Sequence, residues 1–321
     1  MRLTKQYLAD LTQRVVSLYL EDGIPWVVGY SGGKDSTATL QLVWYALRSI
    51  PPEQRTKPVH VISTDTLVEQ PVVAAWVNES LKQMERAARQ EGLPIYPHRL
   101  TPLVKNSFWV NLIGRGYPAP RRNFRWCTDR LKIEPSNRFI MSMVEQHREV
   151  IVVLGTRKAE SQQRAANMEE HAKKRMREGL SPNAALPGSL VFTPIEDWSN
   201  DEVWYYLMQY PNPWGVSNKD LLAMYRGASA DNECPLVVDI STPSCGNSRF
   251  GCWVCTVVSA DKSMEAMIQN DWEKAWMTPL LEFRNFLAPL NPNSGVLDDW
   301  NRRDFRRMNG RVQFEVRGRH K

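Results

Sequence analysis

The residues most able to do chemistry lie in one short run, Ser31-Gly32-Gly33-Lys34-Asp35-Ser36. Paired glycines let backbone N–H groups face a ligand with no Cβ in the way. Ser31, Ser36 and Thr37 add hydroxyl donors, Lys34 adds a positive charge, and Asp35 adds a carboxylate able to hold Mg²⁺. Where a strand gives way to a helix, such a turn also gains the free amides and dipole of the helix N-terminus. Together these groups form a cradle for a polyphosphate. The run is not a Walker A loop, because Val28 and Asp35 stand where that motif needs Gly and Ser/Thr. Nor is it G-x-G-x-x-G.

A second concentration of reactive side chains is sulfur. There are five cysteines, Cys127, Cys234, Cys245, Cys252 and Cys255, and four of them fall within residues 234–255. An odd number argues against a disulfide framework, and the clustering argues for a metal site. The cluster contains no His, and Pro235, Gly246 and Gly251 permit tight turns, so an all-sulfur ligand set of Cys234, Cys245, Cys252 and Cys255 is expected. Thiolates suit Zn²⁺ or an iron–sulfur cluster, and spacing does not decide between them. Cys127 stands apart. Arg125 close by would lower its thiol pKa and suit it to carry sulfur.

These residues need elements to position them. A helix over about 4–21 leads to the apolar strand Trp26–Tyr30, the glycine turn, and a helix over about 35–49. A strand over 58–64, a helix over 71–91 stopped by Gly92 and Pro94, and strands over 95–100 and 149–154 follow. Strands alternating with helices imply an α/β fold, a mainly parallel sheet sandwiched by helices. Residues 101–135 read as a loop-rich insertion near the site. Residues 163–180 read as a charged helix, 181–189 as a mobile loop, and Ser199 with Glu202 as a capping box opening another helix. The pattern divides the chain into a nucleotide domain, 1–210, and a C-terminal region, 211–321, with the cysteine cluster and a basic tail.

The net charge of +6 is carried by that tail, since residues 302–321 hold eight Lys/Arg and two acids. Together with Lys173-Lys174-Arg175-Arg177, the tail is a candidate contact for a phosphate backbone. No apolar run nears the ~20 residues needed to span a bilayer, and the first 22 residues read as a helix rather than a signal, so no membrane partner and a cytoplasmic location are expected.

The glycine turn resembles the pyrophosphate loop of the N-type ATP pyrophosphatases, within the adenine nucleotide alpha hydrolase-like superfamily. Three further segments resemble the PAPS reductase family in it. These are Gly155-Thr156-Arg157-Lys158-Ala159-Glu160-Ser161 with Arg164, then Thr193–Trp204, then Arg125–Pro135 with Cys127 and Lys132. Asp65-Thr66 matches that family's Asp-Thr at the nucleotide edge. The resemblance spans about residues 20–210. The cysteine cluster extends it toward the DndC- and SspD-like DNA phosphorothioation proteins, to about residue 260.

That resemblance implies ATP as substrate, Mg²⁺, and a [4Fe–4S] cluster in preference to zinc. It implies DNA, a cysteine desulfurase and other phosphorothioation proteins as partners. It places Lys34, Asp35, Lys132 and Cys127 at the chemistry. Ser31, Gly32, Gly33, Ser36, Thr37, Asp65, Thr66, Gly155, Arg157, Glu160 and Arg164 would hold the nucleotide. The expected reaction is AMP transfer to a DNA phosphate with release of pyrophosphate, then displacement of AMP by sulfur. The alternatives are a PAPS or APS reductase and a tRNA thiolase.

Overall fold

The computed structural model describes residues 3–120, 125–173, 177, 179–183, 185–228 and 250–287. Strands within 302–320 and a few helix positions, Arg164 among them, are described by backbone alone.

The chain opens with α1 (Lys5–Leu20), β1 (Trp26–Gly29) and α2 (Lys34–Ser49), as the apolar spacing predicts. Then come β2 (Val59–Thr64), α3 (Pro71–Glu91) and β3 (Ile95–Leu100). Gly92, in the left-handed region at φ 60°, ends α3. α4 (Glu134–His147) and β4 (Val150–Val153) follow the insertion.

The next elements are α5 (Gln162–Lys173), β5 (Leu180–Pro182), β6 (Ser189–Phe192), α6 (Asn200–Gln209) and α7 (Asn218–Gly227). Beyond them lie α8 (Lys262–Asn270) and α9 (Thr278–Leu287). The backbone of the basic tail is not a plain coil. β7 (Arg302–Arg306), β8 (Val312–Phe314) and β9 (Arg319–His320) form a separate antiparallel sheet.

The main sheet has the order β3-β2-β1-β4-β6-β5, parallel except for β5. β1 and β4 are buried on both faces, which is why each reads as an unbroken apolar run. Pro97 sits in β3, an edge strand, where a missing N–H is tolerated. One face packs against α1, α2, α3, α6 and α7 through Trp26, Val28, Trp44, Met84, Trp204 and Leu221. The other face packs against α4 through Val27, Ile62, Val152, Ile140 and Met143. Trp214, Leu221 and Tyr225, beyond residue 210, belong to the first of these cores.

The expected mobile loop at 181–189 instead carries β5 and the start of β6, and β6 extends the parallel sheet beside β4. The expected helix over 163–180 stops earlier, and Arg177 already bridges to Leu180. The insertion is ordered by a 3₁₀ turn at Val104–Asn106 and by π-helical turns at Val110–Gly114 and Thr128–Ile133.

Because the chain leaves β1 for β2 and β3 and returns to β4 on the opposite side, the strand order reverses between β1 and β4. A crevice opens outside the carboxyl ends of strands at such a point.

Candidate active site

The glycine turn follows β1 and the Gly155 segment follows β4, so the topology sets both on the crevice. A cavity of about 870 Å³ fills it. Ser31, Gly32, Gly33, Lys34, Asp35 and Ser36 line it together with Gly155, Glu160 and Lys132. Nine of the residues expected at the site thus line one cavity.

The turn's shape has local causes. Gly32 lies at φ +73°, and a Cβ there would stand 2.4 Å from Val77 Cγ2. The Trp76 indole N–H, on α3, donates to the Gly32 carbonyl at 3.1 Å. The Ser31 amide donates to Ser36 Oγ at 3.2 Å, and Ser36 Oγ donates to the Gly33 carbonyl at 3.0 Å. Opposite, a Cβ on Gly155 would lie 2.7 Å from the Asp35 carbonyl oxygen, so the two loops touch backbone to backbone.

Several expected nucleotide contacts stand elsewhere. Thr37 is fully buried and is not part of the cavity wall; its amide donates to the Gly33 carbonyl. Asp65 accepts from Arg99 Nε at 3.0 Å and from the Leu67 amide at 2.7 Å, and Thr66 is buried with its hydroxyl 3.3 Å from Cys252 Sγ. The end of β2 lines the cavity through Ile62, Ser63 and Thr64 instead.

Arg157 does not face the cavity. Its guanidinium is buried and donates to Asp35 Oδ1 at 2.6 Å and to the Trp198 carbonyl at 3.1 Å. It ties the β4 loop to α2 and to the start of α6. Lys34 Nζ lies 3.2 Å from the same carboxylate. With two cations already on Asp35, this carboxylate does not fit a Mg²⁺ ion. The side chain of Arg164 lies outside the described residues.

Tyr225 and Phe250, which spacing could not reveal, complete the lining together with Glu69, whose spacing after Asp65-Thr66 does reach the site. Tyr225 of α7 accepts from the Lys34 amide at 3.3 Å, and its ring lies 5.5 Å from Lys34 Nζ. Phe250 packs edge-on to Tyr225, with centroids 4.7 Å apart. Glu69 joins the wall, and burial raises its carboxyl pKa while Lys132 opposes that shift. The nearest signal for Tyr225 is helical spacing, which marks it only as core.

Sulfur lies at the rim. Glu69 bridges to Cys252 through the backbone, and Gly251 lines the cavity. Burial pushes the Cys252 thiol up to about 11, against the pull of Lys132. Cys127 joins the same apolar cluster, with Trp126, Leu131 and Val254, and lies close enough to Cys255 to feel its charge. Burial raises its pKa, the reverse of the lowering expected from its arginine neighbour. Cys234 and Cys245 lie outside the described residues. Among the described residues no three His, Cys, Asp or Glu side chains are placed to hold one metal ion. The donor set, sulfur alone, is of the type that suits Zn²⁺ or an iron–sulfur cluster.

A glycine turn and a second loop meeting at the switch point of a mainly parallel sheet define an α/β protein with a ligand-sized crevice at the carboxyl ends of its strands. The chain belongs to the phosphoadenosine phosphosulfate reductase domain family, whose model matches residues 25–257. It is 32% identical over 252 residues to an uncharacterised protein of Methanocaldococcus jannaschii, covering 78% of this chain and 40% of that one. The chain therefore spans well under half the length of that relative.

Among solved structures it is similar to the PAPS reductase of Candida auris in its phosphate complex, at 15% identity and TM-score 0.38, covering 65% of this chain and 88% of the other. It is also similar to the U34-tRNA thiolase NcsA of Methanococcus maripaludis with its [4Fe–4S] cluster, at 15% identity and TM-score 0.37, covering 68% and 71%. Among the described residues no helix is long and apolar enough to cross a membrane.

Proposed function

We propose that the protein is an AMP-forming ATP pyrophosphatase that exchanges oxygen for sulfur on a DNA backbone phosphate. The reading is carried by one observation: the Ser31–Ser36 turn opens on the same cavity as Lys132, with Cys252 at its rim. The turn's backbone, Lys34 and Ser36 bind the β and γ phosphates of ATP. A non-bridging oxygen of the DNA phosphate attacks the α phosphorus, the bond to the β phosphate breaks, and pyrophosphate leaves. Lys34 and Lys132 offset the repulsion between two anionic phosphates. A hydrosulfide-level nucleophile then attacks the adenylylated phosphorus, and AMP departs with its oxygen.

Cys234, Cys245, Cys252 and Cys255 would hold a [4Fe–4S] cluster, and persulfide sulfur supplied by a cysteine desulfurase, directly or by way of Cys127, would reach the hydrosulfide level by two-electron reduction with a thiol donor.

The test follows AMP and pyrophosphate released from α-labelled ATP with DNA and a sulfide donor present. Lys34→Ala is expected to slow release by about 10²-fold or more, the scale of losing one transition-state charge contact. Release at the wild-type rate from that variant defeats the assignment. Release of sulfite from an adenylyl sulfate, without pyrophosphate chemistry, would instead mark a reductase.

A further inference from the structure

Apart from Lys132, the insertion has charge and aromatic order that the pyrophosphatase chemistry does not use. Residues 101–133 contain seven Lys/Arg and a single acid, Asp129. Lys105, Arg115, Arg125 and Lys132 among them are exposed. A second cavity, of about 710 Å³, is lined by Arg125, Arg130, Tyr117 and Trp126. The Arg130 guanidinium lies 5.2 Å over the Tyr117 ring and donates to its hydroxyl. One π-helical turn, Thr128–Ile133, carries Arg130 to this cavity and Lys132 to the nucleotide cavity. The two cavities are therefore separated by a single turn.

A chain of rings leads away from the second cavity. Tyr117 meets Trp126 at 5.6 Å, Trp126 stacks on Phe108 at 5.4 Å, and Phe108 meets Trp109 at 5.0 Å. Trp109 meets Phe283 at 6.0 Å, and Phe283 meets Phe286 at 6.1 Å. The middle rings, Phe108 and Trp126, are buried. The outer ones are not: Phe283 is 41% and Phe286 73% exposed. Burial at the centre fixes the exposed rings, so they present flat faces at little cost in side-chain freedom.

We propose that this surface binds an unpaired nucleic-acid strand, with bases stacked on the exposed rings and backbone phosphates drawn to the insertion's cations. Cations that follow a backbone beside aromatic faces are the two components of single-strand recognition, and bases in a duplex have no free face to offer. Lys132, shared between the surface and the nucleotide cavity, then sets one phosphate of that strand beside ATP. This rests on the reading that the sulfur acceptor is a nucleic-acid phosphate and adds the strand state.

The experiment is fluorescence anisotropy of labelled oligothymidylate and of a blunt duplex of equal length, across a salt series, with full-length protein. Oligothymidylate is expected to bind more tightly than duplex. Phe286→Ala with Phe283→Ala is expected to weaken it about tenfold or more, from losing stacking partners. Phe286→Leu keeps apolar area without a π-face and is expected to remain weak, while Phe286→Trp restores binding. Equal affinity for duplex overturns the proposal. So does full binding by Phe286→Leu, which would make the patch an apolar protein-docking surface. ATP affinity without nucleic acid, by isothermal calorimetry, is measured on the same variants and should be unchanged. Absence of ATP binding by the wild type would reject the ATP chemistry while leaving the strand-binding result standing.

Discussion

Two substitutions separate what single residues of the turn hold in place. At Gly32 the backbone lies at φ +73° and the Cβ position is filled by Val77 and Trp76. Gly32→Ala therefore meets both left-handed strain, about 1–2 kcal/mol, and a clash with α3. Its denaturation midpoint should fall and its ATP affinity should drop together, by urea titration and isothermal calorimetry. An alanine variant with wild-type values on both counts would mean the turn is not held as described. Asp35 is less simple than its expected metal-binding role. Its carboxylate is the counter-charge of Arg157, whose side chain is only 4% exposed. Asp35→Asn is expected to cost about 2–3 kcal/mol of stability by leaving a buried guanidinium uncompensated. Arg157→Met added to it should recover most of that loss. If Asp35→Asn unfolds at the wild-type urea concentration, the ion pair has no structural weight. The presence of Asp35 in the turn was legible in sequence. Its partner was not, because nothing in the spacing says whether Arg157 points to solvent, to phosphate or to a neighbouring loop.

At the scale of elements, sequence legibility followed periodicity. The capping box at Ser199 and Glu202 forms as read, with Ser199 Oγ accepting from the Glu202 amide at 3.2 Å and Glu202 Oε2 accepting from the Ser199 amide at 2.9 Å. Ser199→Ala should lower stability by about 1 kcal/mol in thermal or urea unfolding. β6 escaped notice because four residues bounded by Pro187 and Gly188 carry too short a pattern to tell from a loop. The π-helical turns escaped because their period is neither 3.6 nor 2. A prediction of another kind concerns β2 and β3, where His60 Nδ1 and His98 Nε2 share a hydrogen bond of 2.9 Å beside Phe139. Burial first, then the charges of His98 and His147, hold His60 down at about 4. An unfolded imidazole titrates near 6.5. Between those values the unfolded chain takes up a proton that the folded chain refuses, so stability is full above about 6.5 and falls as pH drops toward 4. With a ring that is still partly solvated, the loss is on the order of 1–2 kcal/mol. Urea midpoints at pH 7.5 and 5 measure it, and His60→Gln should flatten most of the slope. An unchanged slope places the titrating group elsewhere.

Across the whole molecule, the alternation of strands and helices was enough to foresee a crevice at a strand-order reversal, because topology leaves few places for a ligand. The meeting of Cys127 with the Cys252–Cys255 loop was not foreseeable, since it joins an insertion to a segment more than a hundred residues later through tertiary packing alone. What holds that segment is Arg284 of α9, 1% exposed. Its Nε donates to the Cys255 carbonyl at 2.9 Å, Nη1 donates to the Ser259 carbonyl at 2.8 Å, and Nη2 donates to the Val258 carbonyl. Desolvation lowers its pKa, opposed by Asp261 and Cys255. One guanidinium thus satisfies three carbonyls of a loop that has little regular structure of its own. Charge-assisted bonds of this kind contribute about 1.5–3 kcal/mol each, with shared donors giving less than the sum. Arg284→Met keeps an apolar stem and leaves the three carbonyls unpaired. It should lower the opening free energy of residues 252–259 by about 2–4 kcal/mol, read as faster amide hydrogen exchange confined to that segment. The Ser31–Ser36 turn is anchored by Trp76, Tyr225 and Arg157, whereas Arg284 bonds to Cys255, Val258 and Ser259, so ATP affinity should persist. Slow exchange at 252–259 in the variant would show the loop to be self-supporting. Loss of ATP binding along with it would show the cysteine rim and the phosphate turn to be one cooperative unit, and the sulfur and nucleotide halves of the site could not then be separated by mutation.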